Sequence, residues 1–327
     1  METTEGAELC FPLLLNSSCR KPQSDGTLVN VLLYFISLLI VTLNLLVIIS
    51  ISHFRQLHSP TNLLILSLAV SDLLVGLLLM PVQILLSEAC WYLGDFMCAL
   101  YFVVNFVITS SSVGNMVLIS IYRYLAICDP LNYNTRVNLD KTKICVCLCW
   151  ISSFFYNILL LLNFMKHPDV NYSCYGECVV VLNHNTGSID LVFTFIGPIT
   201  LIIVLYLRIF MVALSQARAM RSHIESFTLR PKVGITARKS EMKATRTLSV
   251  VVVVFLICFC PYYSPSLTGE VIENSNLFLP FVVWLLYFNS CLNPVIYAFF
   301  YPWFRKSVKL IVTLKIMQVG SCDANIL

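Results

Sequence analysis

Seven apolar stretches, at about residues 28–52, 62–86, 95–128, 142–164, 188–214, 244–267 and 277–301, leave this chain little freedom of fold class. A bilayer core of about 30 Å is crossed by roughly 20 helical residues, and each stretch reaches that length, some with tilt. Inside lipid no water satisfies backbone amides, so such a run closes its own hydrogen bonds as a helix. With 58% hydrophobic and only 12% charged residues, a water-soluble domain of 327 residues would lack a polar surface. The predicted architecture is an all-α membrane protein with a seven-transmembrane helix bundle, 28–301. An extracellular segment, 1–27, precedes it, and a short amphipathic helix and cytoplasmic tail, 302–327, follow.

Basic residues set the orientation. With the N-terminus outside, only Arg20, Lys21 and Lys166 of the 21 Lys and Arg lie on that side, which is the asymmetry of a positive-inside topology. Acids such as Asp25, Glu88, Asp95, Glu177 and Glu270 fall outside and form an acidic mouth. The net charge of +4 is therefore a topology signal and does not point to nucleic acid. Residues 1–26 show no cleavable leader, so the first spanning helix is expected to act as its own insertion signal. Asn16 and Asn171 open N-x-Ser sequons on the predicted outer side. Of the 14 cysteines, Cys10, Cys19, Cys90, Cys98, Cys174 and Cys178 face the oxidising compartment, where disulfides form.

The third stretch is the axis of the chain. From Cys98 to Arg123 a helix rises roughly 38 Å, so one rod joins an outer cysteine, a polar strip that includes Asn105, Thr109 and Ser112, and an inner arginine. In the second helix, Asp72 sits near mid-membrane, where a carboxylate must face the bundle interior. It reads equally as a hydrogen-bond hub or as a sodium site. In the fourth helix, Cys145, Cys147 and Cys149 read as small buried hydrophobes, since a spacing of two spreads them around the helix. In the fifth, Asp190 lies about 12 Å above Pro198 by helical rise. It is either an acid in the helix's first turn, stabilised by dipole and water, or a counter-ion for a cationic ligand. Residues 215–243 form the most basic segment and read as a partner surface or flexible loop. Pro261 should kink the sixth helix below Tyr262 and Tyr263. The stretch from Pro302 to about Lys315 should lie on the inner membrane surface.

Asn44, the run Leu68-Ala69-Val70-Ser71-Asp72, Cys98 with Cys178, Arg123, Trp150, Pro198, Phe255 with Cys258 and Pro261, and Asn293-Pro294 with Tyr297 together resemble the rhodopsin-like G-protein-coupled receptors from end to end. The stretches 50–62 and 297–306 are similar to the trace amine-associated receptors. The resemblance implies a disulfide between Cys98 and Cys178, and a second joining Cys174 to Cys19 or Cys10. It implies Ser112, Asn289, Ser290 and Asn293 as companions of Asp72 around an allosteric sodium ion, with no other cofactor. It also implies an inner switch built from Arg123, Tyr206, Glu241, Pro261 and Tyr297.

The departures from the family pattern matter as much. Asn105 stands where aminergic receptors place an aspartate, so that site carries no counter-charge. Asp190 falls where some fish trace amine-associated receptors carry a substitute acid. The resemblance thus implies a multi-pass plasma-membrane receptor whose amine ligand pairs with Asp190. Asn105, Phe106, Thr109, Thr194, Phe259, Tyr262, Tyr263 and Tyr287 would complete the pocket. Partners would be a heterotrimeric G protein, of the stimulatory type, and arrestin. Tyr122 replaces the acid beside Arg123, which leaves Glu241 as that arginine's resting partner and implies raised basal activity. A receptor for a non-amine molecule, with Asp190 merely solvated, is the competing reading. A transporter would show paired halves, and the chain has no internal repeat. An enzyme would need converging reactive groups, and the five histidines lie in loops without metal spacing.

Overall fold

In a computed structural model, residues 10, 27–88, 90–165, 178, 184–226, 249–264, 278–318 and 320–326 are described. Helix one is Thr27–His53. Helix two runs Pro60–Leu74, passes through a π-helical segment, Val75–Leu79, and resumes as Met80–Glu88. Helix three is Gly94–Cys128 and helix four Leu139–Met165, with a short inner helix, Pro130–Arg136, between them. Helix five runs His184–Asp190, continues through a π segment, Leu191–Ile196, and extends as Gly197–Ser226. Helix six is described over Ser249–Ser264, and helix seven is Phe278–Phe300. A surface helix, Pro302–Val312, follows. Six of these helices are long and apolar enough to span a membrane, and the described part of helix six is apolar and shorter.

Buried polar residues face the bundle beside a core of Ile, Leu, Phe and Met, and further bulky apolar residues face outward. On helix four, Ile144, Leu148, Ile151, Phe155, Leu159 and Leu162 are exposed at spacings of three and four, the lipid-facing stripe of a 3.6-residue period. Thr142, Ser153 and Asn157 face the bundle and are buried. Without a hydrophobic drive between helices in lipid, close packing and interhelical hydrogen bonds hold the bundle together. Asn44 Nδ2 donates to the Ser290 carbonyl at 3.0 Å and ties helix one to helix seven. Trp150 Nε1 donates to Ser67 Oγ at 3.1 Å and ties helix four to helix two. Helix three meets helix four so closely at Gly114 that any Cβ there would collide with Cys149 Sγ. Ser59 caps helix two by accepting from the Asn62 amide, with Pro60 at the first helical position.

Several sequence expectations are corrected. Helix five begins at His184, ahead of the expected 188, so Asp190 lies beyond the first turn, directly before the π segment. The same helix continues to Ser226, so the beginning of the basic 215–243 segment is helical; its Ala, Met, Gln and Arg are good helix formers once clear of lipid. Cys147 is exposed and Cys145 and Cys149 are only partly buried, so none of the three cysteines of helix four is fully buried as expected. The surface helix stops at Val312 because Leu314 adopts a left-handed conformation, which turns the chain back. Residues 320–326 then return to the first inner turn. There His53 Nε2 meets Ser321 Oγ at 2.9 Å, the Ile326 amide donates to Gln56 Oε1 at 3.3 Å, and the Ile326 side chain is buried.

Candidate functional site

Cys98 and Cys178 form the expected disulfide and tether the top of helix three to the outer connection. Cys10 pairs with Cys90, at the outer end of helix two, which removes it as a partner for Cys174. Cys19, Cys174, Asn16, Asn171 and Glu241 lie outside the described residues.

Below the disulfide, Asp190 is half-buried, and Tyr156 of helix four donates to its Oδ1 at 3.0 Å. Thr194 donates its hydroxyl back to the Asp190 carbonyl at 2.6 Å, inside the π segment. The π segment, which inserts an extra residue into the helix, begins directly after Asp190. The carboxylate interacts electrostatically with Tyr262 and Tyr263 of helix six. Tyr263 stacks on Phe195 with ring centres 4.3 Å apart and meets Tyr262 edge-on at 5.0 Å. Phe259, one helical turn before Tyr262 and Tyr263, is buried against Phe255 with ring centres 4.0 Å apart.

Asn105 occupies a different environment. Its Oδ1 accepts from Tyr287 Oη at 3.4 Å and from Thr109 Oγ1 at 3.5 Å. Tyr287 approaches Tyr101 at 3.5 Å, and Tyr101 donates to Gln83 Oε1 at 2.9 Å. Neutral groups from helices two, three and seven therefore surround the position. Phe106 packs on Phe102 of its own helix with ring centres 6.0 Å apart. Sequence reasoning missed Tyr156, Tyr101, Gln83 and Phe195. Tyr101 is one helical turn before Asn105, so its side of the helix was legible, but Tyr156 belongs to another helix and nothing in its local sequence points at residue 190.

At mid-membrane, Asp72 is buried and its Oδ2 accepts from Asn293 Nδ2 at 2.8 Å, with Ser290 close by. Ser112 donates to Ser71 Oγ at 2.9 Å, one residue along helix two from Asp72. Asp72 Oδ1, Asn289 Oδ1 and Asn293 Oδ1 are buried oxygens without a hydrogen-bond donor. Such a set suits a hard cation, whose ligands are oxygen.

At the inner end, Arg123 lies beside the phenols of Tyr206 and Tyr301, and no carboxylate among the described residues pairs with it. Tyr122 turns away, is buried, and donates to Thr142 Oγ1 of helix four at 3.0 Å. Pro261 lies within helix six, and Tyr297 is buried under Asp72 on helix seven.

Comparison with known proteins gives the family. The model for the 7 transmembrane receptor (rhodopsin family) matches residues 43–297. The trace amine-associated receptor 13c of Danio rerio is 36% identical over 335 residues, covering 98% of this chain and 96% of that receptor. The trace amine-associated receptor 1 of Macaca mulatta is 37% identical over 325 residues, covering 94% and 95%. The trace amine-associated receptor 7e of Rattus norvegicus is 36% identical over 332 residues, covering 98% and 92%. The family is one of receptors and not of enzymes, and membership implies a small ligand and a G protein as partners. The chain belongs to the rhodopsin family of seven-transmembrane receptors, as a multi-pass plasma-membrane protein related to the trace amine-associated receptors.

Proposed function

We propose that the protein detects amines, with the ligand ammonium paired to Asp190 on helix five in place of the uncharged Asn105. The observation that carries this is the setting of Asp190. One oxygen is held by Tyr156, and Tyr262 and Tyr263 of helix six lie within electrostatic range, so a cation has a held carboxylate with aromatic rings nearby. A half-buried acid without a cationic partner among the described residues is costly at this depth, and an ammonium offsets that cost. The relatives are named for trace amines, which favours the same ligand class here. Asn105, Thr109, Thr194, Phe106, Phe259 and Tyr287 fill out the ligand's surroundings. The competing reading, with Asp190 merely solvated and a non-amine ligand, predicts responses that do not depend on the Asp190 charge.

Ligand closure would shift helix six about Pro261 and open an inner cleft at Arg123 for a heterotrimeric G protein, of the stimulatory type, with arrestin as a later partner. With Tyr122 engaged by Thr142, Arg123 has no acid beside it on its own helix, and we propose raised basal activity. Glu241 is the remaining candidate for its resting partner. A sodium ion at Asp72, Asn289, Ser290 and Asn293, with Ser112 behind Ser71, would supply positive charge to the orphaned oxygens and favour the resting state.

The deciding experiment is Asp190→Asn, assayed with a panel of amines on a cAMP reporter. A partly buried ion pair that loses one charge forfeits several kcal/mol, so potency should fall at least a hundredfold with surface expression retained. Unchanged responses to every active amine would remove the charge-pair reading.

A further inference from the structure

Asp190 supplies a charged end, and the helix-three side of the same outer region supplies a neutral one. Tyr262 links the two, because it is within electrostatic reach of Asp190 on one side and of Tyr101 and Tyr287 on the other. At the far end Asn105 is half-buried, two hydroxyls converge on its Oδ1, and its Nδ2 has no hydrogen-bond partner among the described residues. The groups around it are uncharged: Tyr101 bonds to Gln83 and approaches Tyr287, and Thr109 bonds to Asn105 itself.

We infer that the ligand carries, besides its ammonium, a second and uncharged hydrogen-bonding group, a hydroxyl or ether oxygen, received by Asn105 and Tyr287. This rests on the amine reading of Asp190 and deepens it. Three kinds of ligand end fare differently at this network. An alkyl end covers the amide and the phenols with carbon and leaves a polar group unsatisfied. A second ammonium loses its hydration where no carboxylate among the described residues compensates it. A hydroxyl both donates and accepts, so it matches the site whichever way the Asn105 amide is turned. The inferred ligand class is therefore an amino alcohol or amino ether, with the chain between the two ends lying along Tyr262.

The test compares n-alkylamines, ω-hydroxyalkylamines and α,ω-diamines of matched lengths on a cAMP reporter in cells expressing the full chain. At the best length the hydroxyalkylamine should be roughly three- to tenfold more potent than the alkylamine, the range of one net hydrogen bond. The diamine should be weaker than the hydroxyalkylamine. Asn105→Leu, with surface expression verified, should erase the hydroxyl advantage, and alkylamine potency should rise toward that of the hydroxyalkylamine, because the amide that an alkyl end leaves unsatisfied is gone. Tyr287→Phe should reduce the advantage in part. Equal potencies in the wild type, an advantage that survives Asn105→Leu, or diamines as the strongest agonists would each overturn the inference. Amine responses that disappear in Asp190→Asn while the wild type shows no hydroxyl advantage refute this inference alone. Responses untouched by Asp190→Asn refute the amine reading beneath it.

Discussion

Tyr156 shows how a residue with no local signal enters a binding site. It is a tyrosine in an apolar run, and its hydroxyl must find a polar partner when buried. The partner is Asp190 at 3.0 Å, across two helices. A hydrogen bond to a charged group contributes about 1.5–3 kcal/mol. Tyr156→Phe should therefore weaken amine potency by roughly tenfold or somewhat more while leaving maximal response intact. A concentration–response curve indistinguishable from wild type would show that the bond does not orient the acid. Asp72 and Asp190 were both legible as functional candidates, because an ionisable residue in lipid needs a reason to be there. Tyr122 was legible only as a missing acid. Its bond to Thr142 depends on where helix four lies, which residue 122 does not encode.

At the scale of elements, the π segments and the tail decide most. Helix two accommodates its π turn at Gly76, where Ser37 Oγ donates to the glycine carbonyl at 2.6 Å and a Cβ would approach Ile40 Cγ2 to 2.8 Å. Asp190 stands directly before the π turn of helix five, and hydropathy alone gives no sign of that turn. After the surface helix, the reversal at Leu314 brings Ile326 into the core beside the first inner turn, flanked by an exposed Arg55–Asp323 pair at 3.6 Å. An exposed pair of this kind contributes little, so the docking rests on Ile326 and the polar contacts at His53 and Gln56. Ile326→Asp should release the tail, since a lone buried carboxylate is not tolerated. Reaction of Cys322 with a thiol reagent on inside-out membranes should then speed up several-fold, whereas an unchanged rate would mean the tail is held by other contacts.

For the whole molecule, the shared property is a line of polar groups down an apolar bundle, from Asp190 and Asn105 through Asp72 to Arg123. If a cation sits at Asp72, sodium and the signalling state must oppose each other, because a ligand shifts an equilibrium only by its differential affinity for the two states. Raising sodium, with ionic strength held constant, should lower basal activity in wild-type membranes, and the response should be flat in Asp72→Asn. Sodium sensitivity that persists in Asp72→Asn would place the ion elsewhere. The sequence by itself determined the seven helices, their orientation and the candidate acids, because lipid imposes length, apolarity and self-satisfied backbone on every span. Only the tertiary structure decided the Cys10–Cys90 pair, the Tyr156–Asp190 bond, the neutral network around Asn105 and the turning of Tyr122 toward helix four. Each of these joins residues on different helices or segments. Their meeting depends on helix rotation and register, which are set by close packing between neighbours and leave no trace in the hydropathy of any one run.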